Sequence, residues 1–186
     1  IIDFRGESEQ VASVLLNGRK VPYTVKDEHI VIDTREVANG ENRVTIEFTA
    51  NDQSLNRRDE FLYTLLVPDR ARTLFPCFDQ PDMKSLFTLS LEVPSSWQAV
   101  TNGAVEQVDS TSVARRKRIS FRETEPLSTY LFSFVAGKLT RETYSRDGRN
   151  ISIYHRETDP KKVAQCSDIA SEVFDALEWQ EEYTQI

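Results

Sequence analysis

Two cysteines, Cys77 and Cys166, and two histidines, His29 and His155, are the only thiols and imidazoles in the chain. Nucleophilic catalysis needs a thiol or hydroxyl beside a base, and a zinc site needs three or four ligands, usually announced by C-x-x-C or paired-histidine spacing. Here the cysteines stand far apart and each histidine stands alone. They read as two buried free thiols and two surface histidines, so no catalytic residue and no metal ligand is assigned. The sequon Asn150-Ile151-Ser152 gains meaning only in a secretory setting.

The densest chemistry lies instead in a loop. Residues 71 to 87 read "ARTLFPCFDQPDMKSLF", and Pro76 and Pro81 forbid a helix or a central strand between them, because each lacks an N–H and biases its predecessor towards extended backbone. The segment is a stiff apolar loop with Cys77 and Asp79 between its prolines. Asp79 has two roles open to it: accepting backbone N–H groups of its own turn, or pairing with Arg72. Either role is structural, since rigid apolar loops position more often than they react.

The elements that must hold this loop are strands. From Val11 to about Tyr154 the chain alternates short apolar and polar runs between turn signals, the pattern of antiparallel sheet. Asn17-Gly18, Asn39-Gly40 and Asn102-Gly103 read as hairpin turns, and Asp147-Gly148 as the turn into the last strand. "TYLFSFVAG" reads as a central strand covered on both sides, and the run Arg115-Arg116-Lys117-Arg118 as a solvated, edge-like strand face. At Thr158 the period changes: Asp159 caps, Pro160 opens a helix, and Val163, Cys166, Ile169, Ala170, Val173, Phe174 and Leu177 recur at three- and four-residue intervals. The expected fold is all-β, an antiparallel sandwich or two-layer sheet followed by one amphipathic helix.

Composition sets the class. A chain of 186 residues, 39% hydrophobic and 28% charged, folds around one core without needing disulfides or metal. Its net charge of −7 argues against a nucleic-acid surface, and residues 159 to 186 alone carry seven acids against two bases. No run is long enough for a membrane span and no targeting segment is recognisable, so the compartment is unknown. The uncapped "EEYTQI" reads as an artificial boundary.

Taken together, "LYTLLVPDRARTLFPCFDQPDMKSLFTLSLEVPSSWQAVTNG", "STYLFSFVAGKL" and "ISIYHRETD" resemble the N-terminal domain of the aminopeptidase N family of zinc metallopeptidases. The most specific part is Ala71-Arg72 leading to Phe75-Pro76-Cys77-Phe78-Asp79-Gln80-Pro81 and Lys84. The resemblance implies a saddle-shaped β-sandwich over residues 1–157, lacking its first strands, and the first helix of a thermolysin-like catalytic domain over residues 158–186. It implies a fragment cut at both ends, non-catalytic itself. Its partners would be its own catalytic domain and, in the complete enzyme, a peptide substrate.

That family draws zinc from an H-E-x-x-H helix and a distant glutamate, and part of its amine recognition from a Gly-Ala-Met-Glu-Asn segment. Neither motif occurs here, so zinc is expected in the full-length enzyme and not in this segment. The resemblance also assigns Arg72, Pro76, Cys77, Asp79 and Pro81 to a structural loop at the domain interface. Where the family commonly carries Thr/Ser-Gln-x-Glu/Gln, this chain has Thr64-Leu65-Leu66-Val67. Leu65 and Val67 therefore offer two readings: an apolar wall of the first specificity pocket, or part of a core face shared with Phe61 and Tyr63. A non-catalytic interaction module or an inactive relative stands as the alternative function.

Overall fold

Short strands form where the sequence alternates, in a computed structural model that describes residues 1–186. In chain order they are β1 (Ile2–Asp3), β2 (Val11–Leu16), β3 (Arg19–Lys20), β4 (Tyr23–Lys26), β5 (His29–Ile32), β6 (Val44–Phe48), β7 (Leu55–Arg57) and β8 (Phe61–Thr64). There follow β9 (Ser90–Pro94), β10 (Gln98–Thr101), β11 (Val105–Ser110), β12 (Arg116–Phe121), β13 (Phe134–Gly137), β14 (Thr140–Arg146) and β15 (Arg149–His155), then helices α1 (Pro160–Val163) and α2 (Cys166–Thr184).

The chain divides into two compact units, Ile1–Gly137 and Lys138–Ile186. The first holds four antiparallel sheets, with strand orders β1-β5-β4, β3-β2-β6, β10-β13-β8-β7 and β11-β12-β9. Phe4, Val14, Leu16 and Ile30 are fully buried among residues of the first two sheets. Val93, Ala99, Ile119, Phe121 and Ala136 form a second cluster from the last two. A third, around Leu55, Leu66, Leu74 and Phe132, lies under the loop at 75–78 and recruits Phe75, Cys77 and Phe87. Each such side chain contributes roughly 1.5–3 kcal/mol on burial, so the loop is part of the core.

Asn17-Gly18 and Asp147-Gly148 turn the hairpins β2–β3 and β14–β15 with positive φ at both residues of each turn. Neither Asn39-Gly40 nor Asn102-Gly103 makes the expected hairpin: β5 pairs with β1 and β4 while β6 pairs with β2, and β10 pairs with β13 while β11 pairs with β12, each time in different sheets. Asn102 is tied instead to the 131–133 segment, donating to the Leu131 carbonyl at 3.0 Å and accepting the Ser133 N–H at 2.8 Å. Gly103 is needed for space, because a Cβ there would stand 2.1 Å from the Arg122 carbonyl oxygen. The "TYLFSFVAG" run is also only partly strand, since Thr129–Leu131 form a 3-10 turn before β13 begins. Arg115 precedes β12 with a positive φ, while Arg116, Lys117 and Arg118 lie on β12, which is the middle strand of its sheet and not the expected edge; Glu92 takes Arg116 at 2.9 Å and Arg118 at 3.8 Å.

In the second unit α2 packs on the β14–β15 hairpin. Cys166, Ala170 and Phe174, four residues apart, are buried. Arg146 locks the pair: its guanidinium stacks 4.9 Å over the Phe174 ring, bonds Ser171 Oγ at 2.8 Å and pairs with the Asp175 carboxylate. Ile169, Val173 and Leu177 remain exposed. The expected single helix is broken at Ala164–Gln165, where the Gln165 N–H bonds the Lys162 carbonyl three residues back and tightens the turn.

Candidate functional site

The strand β8 and its continuation alternate sharply. Thr64 and Leu66 are 7% and 2% exposed, whereas Leu65 and Val67 are each 52% exposed. The inward set is fixed by partners: the Thr64 hydroxyl accepts the Phe134 N–H at 3.0 Å, and Leu66 joins the core cluster around Leu74. A strand projects successive side chains to opposite faces, so Tyr63, Leu65 and Val67 are sent outward together. Within residues 1–186, then, Leu65 and Val67 do not join a buried face.

The outward face continues across neighbouring strands. Register places Asn56, Tyr63, Val135 and Val100 in one row over β7, β8, β13 and β10. The Phe61 and Tyr63 rings stack parallel, centroids 6.3 Å apart. Tyr63, Val100 and Val135, with Thr101 and Ser133, line a shallow hollow of about 260 Å³. Such a surface offers apolar and aromatic contact with hydroxyls at the edge, and it presents no charge. The two-residue period pointed to Tyr63; Val100 and Val135 depend on strand pairing that no local pattern encodes.

Asp79 is 8% exposed and its carboxylate is fully engaged. One oxygen accepts the Arg72 backbone N–H at 3.0 Å and the other accepts the Thr129 hydroxyl at 2.6 Å. Of the two roles open to it, the backbone one is realised. The Arg72 guanidinium turns instead to Asp69 at 3.1 Å and Glu28 at 3.7 Å, the latter an ion pair too long for a hydrogen bond. The Asp79 N–H donates to Asp3 Oδ2 at 2.8 Å, and Asp3 exchanges backbone bonds with Cys77 at 2.9 and 3.1 Å. His29 Nε2 lies 3.3 Å from the other Asp3 oxygen. Sequence reasoning missed Asp3; the one available signal was a carboxylate set between Ile2 and Phe4.

The rest of the loop follows from these bonds. Pro81 is exposed, and its carbonyl accepts the Ser128 hydroxyl. Pro76 is half-buried and, with Ile2, Val44, Phe75, Phe78 and Phe87, lines a hollow of about 450 Å³. Burial pushes the Cys77 thiol far above its usual range, and the Asp79 and Asp3 carboxylates add to that rise while Arg72 opposes it. A thiol so held is a packing group rather than a nucleophile. Cys77 and Cys166 are both free, and no three His, Cys, Asp or Glu side chains converge as a metal-holding group.

Comparison with known proteins agrees with the fold. The Peptidase M1 N-terminal domain profile matches residues 7–131, more than half of the chain. Aminopeptidase M1-A of Oryza sativa subsp. japonica is 31% identical over 153 residues, 75% of this chain and 17% of that protein. The probable M1 family aminopeptidase 2 of Encephalitozoon cuniculi is 38% identical over 96 residues, 51% of this chain and 11% of that protein. Legionella pneumophila aminopeptidase A, solved with aspartic acid, superposes with a TM-score of 0.79 at 19% identity, over 100% of this chain and 23% of that one. The chain thus spans less than a fifth of the length of these curated relatives. On the matched profile and the antiparallel sheets that it covers, the chain belongs to the Peptidase M1 N-terminal domain family.

Proposed function

We propose that this chain is the non-catalytic N-terminal β-domain, with the first helix of the catalytic domain at residues 158–186, of a zinc aminopeptidase that removes N-terminal residues from peptides. Leu65 and Val67 wall the pocket for the first substrate side chain, and the loop holding Arg72, Pro76, Cys77, Asp79 and Pro81 braces the domain at its interface with the catalytic domain. The observation that carries this reading is the outward projection of two apolar side chains where neighbouring positions are buried, in a chain that belongs to this family. The exposed Ile169, Val173 and Leu177 of α2 support it too, as a surface suited to further packing.

Peptide hydrolysis of this kind uses a metal ion to polarise the carbonyl and activate water. The sequence carries no H-E-x-x-H motif, and this reading assigns zinc and the general base to a catalytic domain outside residues 1–186. This chain's own part is to shape the pocket and exclude water from one side of it. Charge recognition of the substrate amine falls to the other domain, because leucine and valine offer no acceptor.

The test is to assay the complete gene product beside this segment. The complete protein should hold one zinc, hydrolyse aminoacyl substrates and lose activity on chelation, while residues 1–186 should hold no zinc and hydrolyse none of these substrates. One tight zinc on the segment alone would overturn the proposal. A complete protein that folds and holds zinc but hydrolyses nothing would identify an inactive relative.

A further inference from the structure

Ser54 and Thr73 are the most deeply buried polar side chains near the outward-facing segment, at 1% and 2% exposure. Thr73 Oγ1 lies 2.7 Å from Ser54 Oγ and 2.7 Å from the Arg70 carbonyl oxygen. A carbonyl only accepts, so the single Thr73 proton goes to Arg70 and the Ser54 hydroxyl supplies the proton between the two side chains. Ser54 and Arg70, the two partners of Thr73, hold the Leu65–Leu66 backbone. The Leu65 N–H donates to the Ser54 carbonyl at 3.0 Å, and the Arg70 N–H donates to the Leu66 carbonyl at 2.9 Å.

These bonds close a ring: Leu65 to Ser54, Ser54 to Thr73, Thr73 to Arg70, and Arg70 back to Leu66. The ring lies beyond the end of β8 at Thr64, where sheet pairing no longer holds the backbone. We infer that Ser54 and Thr73 are positioning residues that hold Leu65 and Val67 in place and so tune how the enzyme receives the first substrate side chain. The inference rests on Leu65 and Val67 being pocket wall.

The test uses the full-length enzyme with substrates bearing leucine or alanine first. Thr73→Val deletes the central hydroxyl, and Thr73→Ser retains it. Ser54→Ala is a milder second variant, because Thr73 keeps its Arg70 acceptor. Thr73→Val should raise KM for the leucine substrate about three- to tenfold, the scale of one lost buried hydrogen bond, with kcat little changed. Thr73→Ser should restore the wild-type value. Amide exchange at Leu65 should quicken at least about tenfold in Thr73→Val and not in Thr73→Ser.

A cycle with Leu65→Ala separates the levels. If the hydroxyls act through the wall, Thr73→Val adds nothing once Leu65 is truncated. If Leu65→Ala alters KM and Thr73→Val does not, or if the two effects add, the positioning role is wrong while the wall stands. If neither Leu65→Ala nor Val67→Ala alters any substrate constant, the wall itself is wrong, and the positioning role fails with it. Should Thr73→Val fail to fold, Ser54→Ala in the same cycle distinguishes the same outcomes.

Discussion

The Asp79 backbone N–H donates to the carboxylate of Asp3 at 2.8 Å, 76 positions away in sequence. This bond fastens the stiff loop to the opening strand, and the Asp79 carboxylate then fastens the Arg72 backbone and Thr129. Two buried carboxylates thus organise a loop whose regular structure is limited to the 3-10 turn Ala71–Thr73 and single bridges at Cys77 and Ser85.

Asp79→Ala removes two charge-assisted acceptors and leaves a buried N–H and hydroxyl unmatched. The expected loss is about 2–4 kcal/mol of stability, on roughly 1.5–3 kcal/mol for a bond to a charged group. Urea denaturation of the folded protein measures it. A change within about 0.5 kcal/mol, the range of ordinary surface substitutions, would mean that the loop is held by its apolar contacts alone.

Gly103→Ala places a methyl 2.1 Å from the Arg122 carbonyl oxygen, a backbone atom with little freedom to yield. Overpacking against backbone costs roughly 1–3 kcal/mol or more. Gly18 and Gly148 have open space around them, and alanine there meets only the strain of a positive φ. Thermal unfolding should rank Gly103→Ala as the most destabilising of the three.

Glu157 opens the second unit's helical segment. Its carboxyl is held below the usual range, chiefly by the Asp159 and Thr158 N–H groups and further by Lys162. A depressed carboxylate contributes stability that is present above its unfolded value, about 4.5, and is lost as pH falls through the folded value. Acid titration followed by amide exchange at Thr158 and Asp159 should show protection falling below pH ~4.5. Glu157→Gln should lack that step.

Cys77 behaves in the opposite sense. A thiol raised by burial adds stability that is fully present below its unfolded value and is lost as pH rises above it. Iodoacetamide at pH 8 should label Cys77 far more slowly in the native protein than in urea, by about a hundredfold or more. Denatured, unreduced protein should show both thiols free. Rapid native labelling of Cys77 would show that the loop opens.

Legibility in the sequence followed locality. The Asn17-Gly18 and Asp147-Gly148 hairpins were readable because turn chemistry and flanking strands lie within a few residues. Asn102-Gly103 looked the same but joins strands of different sheets, a decision made by Leu131, Ser133 and the carbonyl of Arg122. The outward placement of Leu65 was half legible: period two grouped it with Val67 and Tyr63, and only burial of Thr64 and Leu66 told which face was inside. Asp3, Ser54 and Thr73 left almost no trace, because each acts through partners many residues away.

Leu65→Gln in the complete gene product tests the proposed pocket wall most directly. Glutamine supplies an acceptor where leucine has none, and a bond to the substrate ammonium contributes roughly 1.5–3 kcal/mol when geometry is good. That is about a ten- to hundredfold ceiling on kcat/KM if the bond persists in the transition state. With matched alanine and leucine substrates, a gain within that ceiling is expected for alanine and a loss for leucine, whose side chain now meets a polar wall. Unchanged kcat/KM for both would contradict it, and would remove Leu65 from the pocket.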